Sequence, residues 1–315
     1  MTTSAPYFAD IAGNPTGVCH WLTAQDGVRI RVGHWPVEGA KGTVLLFPGR
    51  TEYIEKYGRT AVEFANRGYA CVAIDWRGQG LADRLLDNRA VGHVEYFSDY
   101  QHDVRAVLGH VKSLGLPDPL HLLGHSMGGC IGLRSLNEGL PVTTAAFSAP
   151  MWGIKMSTAL RPIAWGVSTI SRPLGFSGAF APGQQAETYI LRAEAADNTL
   201  TSDAGNFALL QQQLHAQPDL ALGGPSLHWL NESLREMRRL WQQASPNIPC
   251  ITFLGSDEQI VDPDRVHDRM ARWPNGTLVT LPDARHEVMM ETKAIRTRVF
   301  DSAAALFAAH SPAMA

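Results

Sequence analysis

The chain has 315 residues, of which 45% are hydrophobic and 18% charged, and this composition is typical of a globular protein with a sizeable core. Its formal net charge of −3, without any run rich in lysine and arginine, argues against a nucleic-acid-binding protein, whose surface would carry a basic patch. Cys19, Cys71, Cys130 and Cys250 lack C-x-x-C spacing, which argues against a cysteine metal or redox site and favours buried thiols in a reducing compartment.

Membrane and export signals are not apparent in the sequence. Residues 1–17 contain neither the basic stretch nor the apolar core of a secretory signal. No apolar stretch approaches the roughly 18 residues that a membrane span requires. We therefore expect a cytoplasmic protein, and we leave open both its oligomeric state and a peripheral contact with the inner face of a membrane.

The first half of the chain alternates short apolar runs with helical patterns. A strand pair with a turn at Asp26 and Gly27 is expected within residues 20–37. Buried strands are then predicted at residues 43–47, 69–74, 120–123 and 145–147. Helical spacing of apolar side chains predicts helices at residues 54–67 and from Ser98, where Ser98 and Gln101 have the spacing of a capping box. This alternation predicts a mostly parallel sheet with helices on both faces.

The alternation stops near Pro150 and resumes with strands at residues 250–254 and 277–281 and a last helix. We therefore predict a core domain formed by residues 1–150 and 246–315, with a helical cap inserted at residues 151–245. The beginning of this insertion, MWGIKMSTALRPIAWGVSTI, is rich in large apolar side chains. They would line an acyl-chain pocket, touch a membrane surface or form the core of the cap, and the sequence leaves these alternatives open.

A candidate nucleophile lies in the segment LHLLGHSMGGC, residues 120–130. Gly124, Ser126 and Gly128 form a G-x-S-x-G motif between a predicted strand and a predicted helix, the context of a nucleophile elbow. The glycines relieve clashes where the strand and the helix converge, and the helix N-terminus beyond Ser126 supplies an unpaired N–H group and a positive dipole end. The alternative is a glycine-rich turn that happens to contain serine.

A serine hydroxyl needs a base to take its proton. Where this motif is catalytic, the histidine follows the nucleophile and the acid in the sequence. Three histidines follow residue 260: His267 falls inside a predicted helix, His310 lies near the C-terminus, and His286 comes just after a predicted strand. We predict His286 as the base, because the carboxyl edge of the sheet should lie there.

The acid that orients this histidine should follow the preceding strand, in FLGSDEQIVD, residues 253–262. Asp262 precedes Pro263 and a helical pattern, so we expect it to cap a helix. Asp257 and Glu258 remain, and the local pattern does not separate them.

These segments together resemble the α/β-hydrolase superfamily, and within it the monoacylglycerol-lipase-like serine hydrolases that include bacterial lysophospholipases. The resemblance is carried by FPGRTEYIEKY (47–57), DWRGQGLADRLLDNRAVGHVEYFSDYQHDV (75–104), GHSMGG (124–129), GGPSLHWL (223–230) and ARHEVMME (284–291). Pro48 stands where many relatives have histidine, and Ala82 stands where serine is usual.

The resemblance implies an α/β-hydrolase fold with Ser126 as nucleophile and His286 as base. Its acid usually stands three residues after the glycine that ends the strand, and counting from Gly255 gives Glu258 rather than Asp257. Aspartate is more common than glutamate at this position.

The resemblance also implies that the backbone N–H groups of Met127 and Arg50 hold the oxyanion. The Arg50 side chain has two alternative roles. It would bind the phosphate of a lysophospholipid, or it would form a structural pair with Glu52 or Glu55.

The implied activity is hydrolysis of carboxylic esters of single-chain lipids, lysophospholipids or monoacylglycerols, through an acyl-serine. The expected partner is a small-molecule lipid ester, and no metal, organic cofactor or nucleic acid is implied. A peptidase, thioesterase or perhydrolase with the same triad is an alternative, and so is a non-catalytic binding protein on the same scaffold.

Overall fold

A computed structural model describes residues 2–311, and a nine-stranded sheet runs through them. The strands are β1 (Thr3–Ala5), β2 (Val18–Thr23), β3 (Arg29–Trp35), β4 (Thr43–Phe47), β5 (Ala70–Asp75), β6 (Leu120–His125), β7 (Thr144–Ser148), β8 (Cys250–Gly255) and β9 (Gly276–Leu281). Their order is β1-β2-β3-β5-β4-β6-β7-β8-β9. The pairs from β1 to β5 along this order are antiparallel, and all later pairs are parallel. The predicted mostly parallel sheet is confirmed.

Helices accompany this sheet. They are α1 (Ala9–Ala12), α2 (Gly58–Ala65), α3 (Tyr100–Leu114), α4 (Met127–Asn137), α5 (Leu160–Ser171), α6 (Tyr189–Arg192), α7 (Ala204–Ala216), α8 (Leu227–Gln242), α9 (Pro263–Ala271) and α10 (Lys293–Ala309). Short 3₁₀ turns lie at Ile54–Tyr57, Phe97–Asp99, Pro218–Leu220 and Val288–Met290. None of the helices within residues 2–311 has the length and apolar character needed to cross a membrane.

The strands of the parallel part are buried on both faces, which explains their continuous apolar runs. In β4, Leu45 and Phe47 belong to one large apolar cluster, whereas Val44 and Leu46 belong to another. Successive side chains of a strand point to opposite faces, so the two clusters lie on opposite sides of the sheet.

Two sequence predictions need correction at the starts of helices. The helix predicted at residues 54–67 is a 3₁₀ turn followed by α2. Ser98 and Gln101 do not form a capping box. Instead, the Asp99 carboxylate accepts the N–H of Tyr96 at 3.1 Å, and the buried Gln101 amide accepts the Ser135 hydroxyl at 2.8 Å. The Gln101 side chain, which the local pattern assigned to a cap, therefore forms a tertiary hydrogen bond with α4 instead.

The chain between β7 and β8 contains α5 to α8 and no strand of the sheet. Two isolated bridges join this segment to loops of the sheet, between Ile154 and Val261 and between Gly92 and Pro225. The helical character predicted for this stretch is therefore observed.

A buried ion cluster fixes the antiparallel part of the sheet to the segment after β4. Arg31 contacts both Asp75 and Glu55 at 2.7 Å, and all three side chains are inaccessible to solvent. Asp75 also accepts the backbone N–H groups of Ile54 at 2.9 Å and Leu81 at 2.8 Å. The Asp75 carboxylate thus links the segment before β5 to the segment after it.

Arg31→Met should lower the free energy of unfolding by about 3–5 kcal/mol, because it leaves two carboxylates buried without a cation. Arg29→Met is the matched control on the same strand. Arg29 pairs with Asp83 at 3.2 Å, but their side chains are 51% and 40% exposed, so we expect a loss of at most about 1 kcal/mol. Urea unfolding followed by circular dichroism compares the two variants, and equal losses would contradict the assigned role of the buried cluster.

Candidate active site

Ser126 lies at a strained turn between β6 and α4, with φ +49° and ψ −118°. A Cβ atom at Gly124 would lie 2.9 Å from the Gly128 carbonyl oxygen, and one at Gly128 would lie 1.9 Å from the carbonyl oxygen of Phe47. Gly124 thus gives space to the elbow's own helix, whereas Gly128 gives space to the end of β4. The predicted clash of strand and helix is confirmed at Gly124, whereas at Gly128 the clash is with the end of β4, a contact that the motif alone does not reveal.

His286 follows β9 and is buried beside a carboxylate. Its Nδ1 lies 2.8 Å from Oε2 of Glu258, which is also buried. The other carboxylate oxygen, Oε1, accepts the backbone N–H groups of Ile260 at 2.6 Å and Val261 at 3.1 Å. These bonds orient Glu258. Because an ionised carboxylate can only accept a hydrogen bond, the Nδ1–H of His286 is the donor to an ionised Glu258.

The two partners shift each other's pKa. Burial alone would raise the pKa of Glu258, but the charge and hydrogen bond of His286, with the two backbone N–H groups, lower it overall. Burial alone would lower the pKa of His286, but Glu258, and more weakly Glu287 and Glu52, raise it above its usual value. The pair therefore favours an ionised acid and a histidine that accepts a proton readily.

The two neighbouring acids in the same segment make other contacts. Asp257 is exposed, and its carboxylate accepts only the hydroxyl of Ser256, at 3.3 Å, among the described residues. Asp262 stands at the position before α9, with Pro263 as the first helical residue, as predicted. Its side chain does not cap the helix, and this part of the prediction is wrong. It pairs with Arg161 of α5 at 3.2 Å instead.

Two backbone N–H groups near Ser126 lack hydrogen-bond partners. Met127 is the first residue of α4, and Arg50 lies in the loop after β4. Neither N–H donates a hydrogen bond to any of residues 2–311. Both are therefore available to an oxygen atom bound beside the serine, as an oxyanion hole requires.

Side chains of the DWRGQG segment donate hydrogen bonds to the loop that carries Arg50. The Trp76 indole N–H donates to the Pro48 carbonyl at 2.9 Å, and the Gln79 amide donates to the Gly49 carbonyl at 2.8 Å. The sequence pattern assigned no role to Trp76 or Gln79. The sequence shows that both residues follow β5, but it does not show that they bind carbonyl groups of another loop.

A buried charged network lies behind His286. Lys56 contacts Glu287 at 2.6 Å and is also hydrogen-bonded to Glu52. Nε2 of His125 lies 3.3 Å from Glu287, and the rings of His125 and His286 are 4.8 Å apart. Sequence reasoning did not identify this network, although His125 lies inside the elbow motif and Glu287 directly follows His286.

The Arg50 side chain does not form the pair with Glu52 or Glu55 that was expected as a structural role, because each of these acids binds another cation. Its Nη1 donates to the Gly223 carbonyl at 2.8 Å, and its guanidinium carbon lies 5.7 Å from the centre of the Trp229 ring. No carboxylate within the described part of the chain forms an ion pair with Arg50.

A cavity of about 540 Å³ contains both Ser126 and His286 in its lining. The walls are mainly apolar and come largely from residues after β7, including Met151, Ile154, Met156, Leu160, Ile163 and Trp229. The other two candidate histidines, His267 and His310, are exposed and do not line it. The apolar side chains of α5 thus contribute to a cavity, one of the roles left open by the sequence.

Comparison with known proteins agrees with this geometry. The model of the Hydrolase_4 family, described as serine aminopeptidase S33, matches residues 38–293. Probable lysophospholipase L2 of Haemophilus influenzae is 27% identical over 90% of this chain and 89% of its own length. Lysophospholipase L2 of Escherichia coli K12 is 28% identical over 92% of this chain and 87% of its own length.

The fold is also shared with solved structures. A monoglyceride lipase variant from Saccharomyces cerevisiae, in complex with a substrate analog, superimposes with a TM-score of 0.73. The match covers 93% of this chain and 95% of the lipase at 23% identity, so it supports the fold alone.

A strained elbow serine and a buried histidine–carboxylate pair on a mostly parallel sheet define a serine hydrolase of the α/β class. The chain belongs to the Hydrolase_4 family of the α/β-hydrolase superfamily, in its lysophospholipase- and monoglyceride-lipase-like branch. The predicted superfamily and enzyme class, a serine ester hydrolase, are thereby confirmed.

Gly128→Ala should destabilise the enzyme by at least about 1–3 kcal/mol, the usual cost of overpacking, because the new methyl group would meet the backbone of β4. We also expect loss of activity in the fraction that remains folded, since α4 must move away from the loop of Arg50. Thermal unfolding and esterase assays measure both effects.

Gly109→Ala is the control, because Gly109 lies within α3 and a Cβ there meets no atom within 4 Å. It should stabilise the protein by about 0.5–1 kcal/mol through helix propensity. A Gly128→Ala enzyme as stable and active as the parent would refute the close approach of α4 and β4.

Proposed function

We propose that this enzyme hydrolyses carboxylic esters of single-chain lipids, lysophospholipids or monoacylglycerols, through an acyl-serine intermediate. The observation that carries the proposal is the shared cavity, in which Ser126 and the buried His286 lie against apolar walls. The names of the full-length relatives, lysophospholipase L2 among them, support the same substrate class.

The proposed mechanism uses the triad Ser126, His286 and Glu258. The Nδ1–H of His286 donates to Glu258, which leaves Nε2 free to take the proton of the Ser126 hydroxyl as its oxygen attacks the ester carbonyl. The N–H groups of Met127 and Arg50 stabilise the oxyanion. His286 then gives the proton to the leaving alcohol, and it activates the water that hydrolyses the acyl-serine.

We assign residues 151–245 to a cap over this site and residues 1–150 and 246–315 to the catalytic core. The cap would enclose the acyl chain, for which its apolar side chains in the cavity are suited. Exposed apolar side chains continue along this part of the chain, at Leu160, Ile163, Ile170, Leu174 and Phe176. They support a peripheral contact of a cytoplasmic enzyme with a membrane surface, where such lipids reside.

An aminopeptidase activity is the second candidate, since the family is described by that name. A free amino terminus would need an unpaired carboxylate in the cavity. The acids there that could serve, Glu52 and Glu287, are already bound to Lys56. The charge arrangement therefore favours a lipid ester over a peptide.

Assay of the purified enzyme on lysophosphatidylcholine, monoacylglycerol, p-nitrophenyl esters and aminoacyl-anilides tests the proposal. We expect hydrolysis of the lipid esters, and labelling by a fluorophosphonate probe that Ser126→Ala abolishes. A preference for the anilides would refute the lipid substrate. Labelling that persists in Ser126→Ala would refute the nucleophile.

Glu258→Gln should lower kcat by about 10³–10⁴-fold, because the histidine loses the carboxylate that fixes its tautomer and stabilises its charged form. Asp257→Asn is the matched control on the adjacent, exposed residue and should leave most of the activity. The reverse result in steady-state ester assays would show that Asp257 is the acid.

The same variant should change the pH profile. His286 must be neutral to act as a base, and its pKa is raised by Glu258, so activity of the parent enzyme is lost on the acid side as His286 is protonated. Removing the charge of Glu258 lowers the pKa of His286, and the acid limb of kcat/KM for the residual activity should move to lower pH. A limb that stays in place would contradict the direct contact.

A further inference from the structure

We infer that the guanidinium of Arg50 recognises the phosphate of a lysophospholipid head group and thereby determines substrate specificity. This inference rests on the proposed ester hydrolase function and adds a polar subsite to its cavity. It assigns to the Arg50 side chain a role separate from that of the Arg50 backbone N–H.

Arg50 has no acid as a partner among the described residues. By contrast, Arg31 and Lys56, whose side chains are at most 6% exposed, are bound to acids, Glu55 and Glu287. Arg50 instead has a single carbonyl acceptor and an aromatic ring. Burial lowers the pKa of its guanidinium to about 10, so it remains charged at neutral pH. Arg50 is half-buried, and a bound anion would stabilise a charge that is partly removed from water and has no acid beside it.

The position of Arg50 also suits a phosphate. Arg50 lines the same cavity as Ser126, and its backbone N–H is one of the two proposed oxyanion donors. In a lysophospholipid, the phosphate is joined to the ester through the short glycerol backbone. A substrate with its carbonyl oxygen at the Arg50 N–H therefore has its phosphate within reach of the same residue's side chain. The planar guanidinium retains free N–H groups that match two phosphate oxygens.

The charges of the surrounding cavity are unevenly distributed. Glu52, Glu287 and Lys56 also line it, and on this side the two acids and the cation offset one another. Lys56, the cation nearest to these acids, is already bound to both. Arg50 lies instead beside Gly223 and Trp229, in the GGPSLHWL segment. The phosphate is thus directed to the side of the cavity where Arg50 meets this segment.

The test compares Arg50→Gln with the parent enzyme on two substrates that carry the same acyl chain, lysophosphatidylcholine and monoacylglycerol. We expect the ratio of their kcat/KM values to fall by about 10–100-fold in favour of monoacylglycerol, mainly through a higher KM for the phospholipid, as for loss of a charged hydrogen bond. Arg50→Lys should restore part of the ratio, because an ammonium keeps the charge but not the planar fork.

Arg89→Gln is the control, since Arg89 is an exposed arginine that pairs with Asp219 and does not line the cavity. It should leave the ratio as it is in the parent. Glycerophosphocholine and inorganic phosphate, tested separately as inhibitors of monoacylglycerol hydrolysis, distinguish a head-group site from a free-phosphate site. Inhibition of the parent by glycerophosphocholine that weakens in Arg50→Gln supports the inference, whereas inhibition by inorganic phosphate alone overturns it.

A purely structural Arg50 would give a different result. If its bond to Gly223 only holds the cap segment, Arg50→Gln should lower kcat/KM for both substrates in parallel, together with the thermal midpoint, and the inference fails. Failure of the proposed function is distinguishable, because the parent enzyme itself would then hydrolyse neither lipid.

Discussion

The close approach of α4 to the end of β4 is the constraint on which the active site depends. β4 and β6 are neighbouring parallel strands, so the loop after one and the elbow after the other emerge at the same edge of the sheet. The absence of a side chain at Gly128 allows the first turn of α4 to rest against the Phe47 carbonyl. That contact places the N–H of Met127 beside the loop of Arg50, and neither N–H group has a partner within residues 2–311. The proposed nucleophile and the proposed oxyanion donors are thus positioned by backbone that packing holds in place.

Two buried cations near the site, Arg31 and Lys56, are each offset by acids. The Arg31 cluster fixes the segment that follows the loop of Arg50, and the Lys56 network lies close to His286. In each case acids surround a cation, which offsets the cost of removing charge from water. Arg50 lines the cavity without an ion pair to any of residues 2–311, and it lies where the core meets the GGPSLHWL segment of the proposed cap. Pairing of charges that are removed from water thus contributes to the stability of the core, and it is also the basis of the phosphate recognition proposed in the cavity.

The apolar walls of the cavity come largely from the proposed cap. α5 contributes large side chains to the cavity, and Leu160 and Ile163 are also more than half exposed. A surface that is apolar both toward the cavity and toward solvent suits an enzyme whose substrate leaves a lipid aggregate. Asp262, through its pair with Arg161, joins α5 to the segment that carries Glu258. The acid expected to cap α9 therefore connects the proposed cap to the core.

The sequence by itself determined the sheet, the elbow and the position of His286, because these follow from patterns of neighbouring residues. Strand periodicity, the G-x-S-x-G spacing and the order of strands along the chain are local information. The choice between Asp257 and Glu258 was open locally, although the family resemblance pointed to Glu258, and it is the turn after β8 that buries this side chain against His286. The partner of Arg50 was likewise beyond local patterns, because it depends on competition among charges that are distant in the sequence. Long-range packing decides which cation each carboxylate binds. A carboxylate that is already bound to one cation is no longer available to a second.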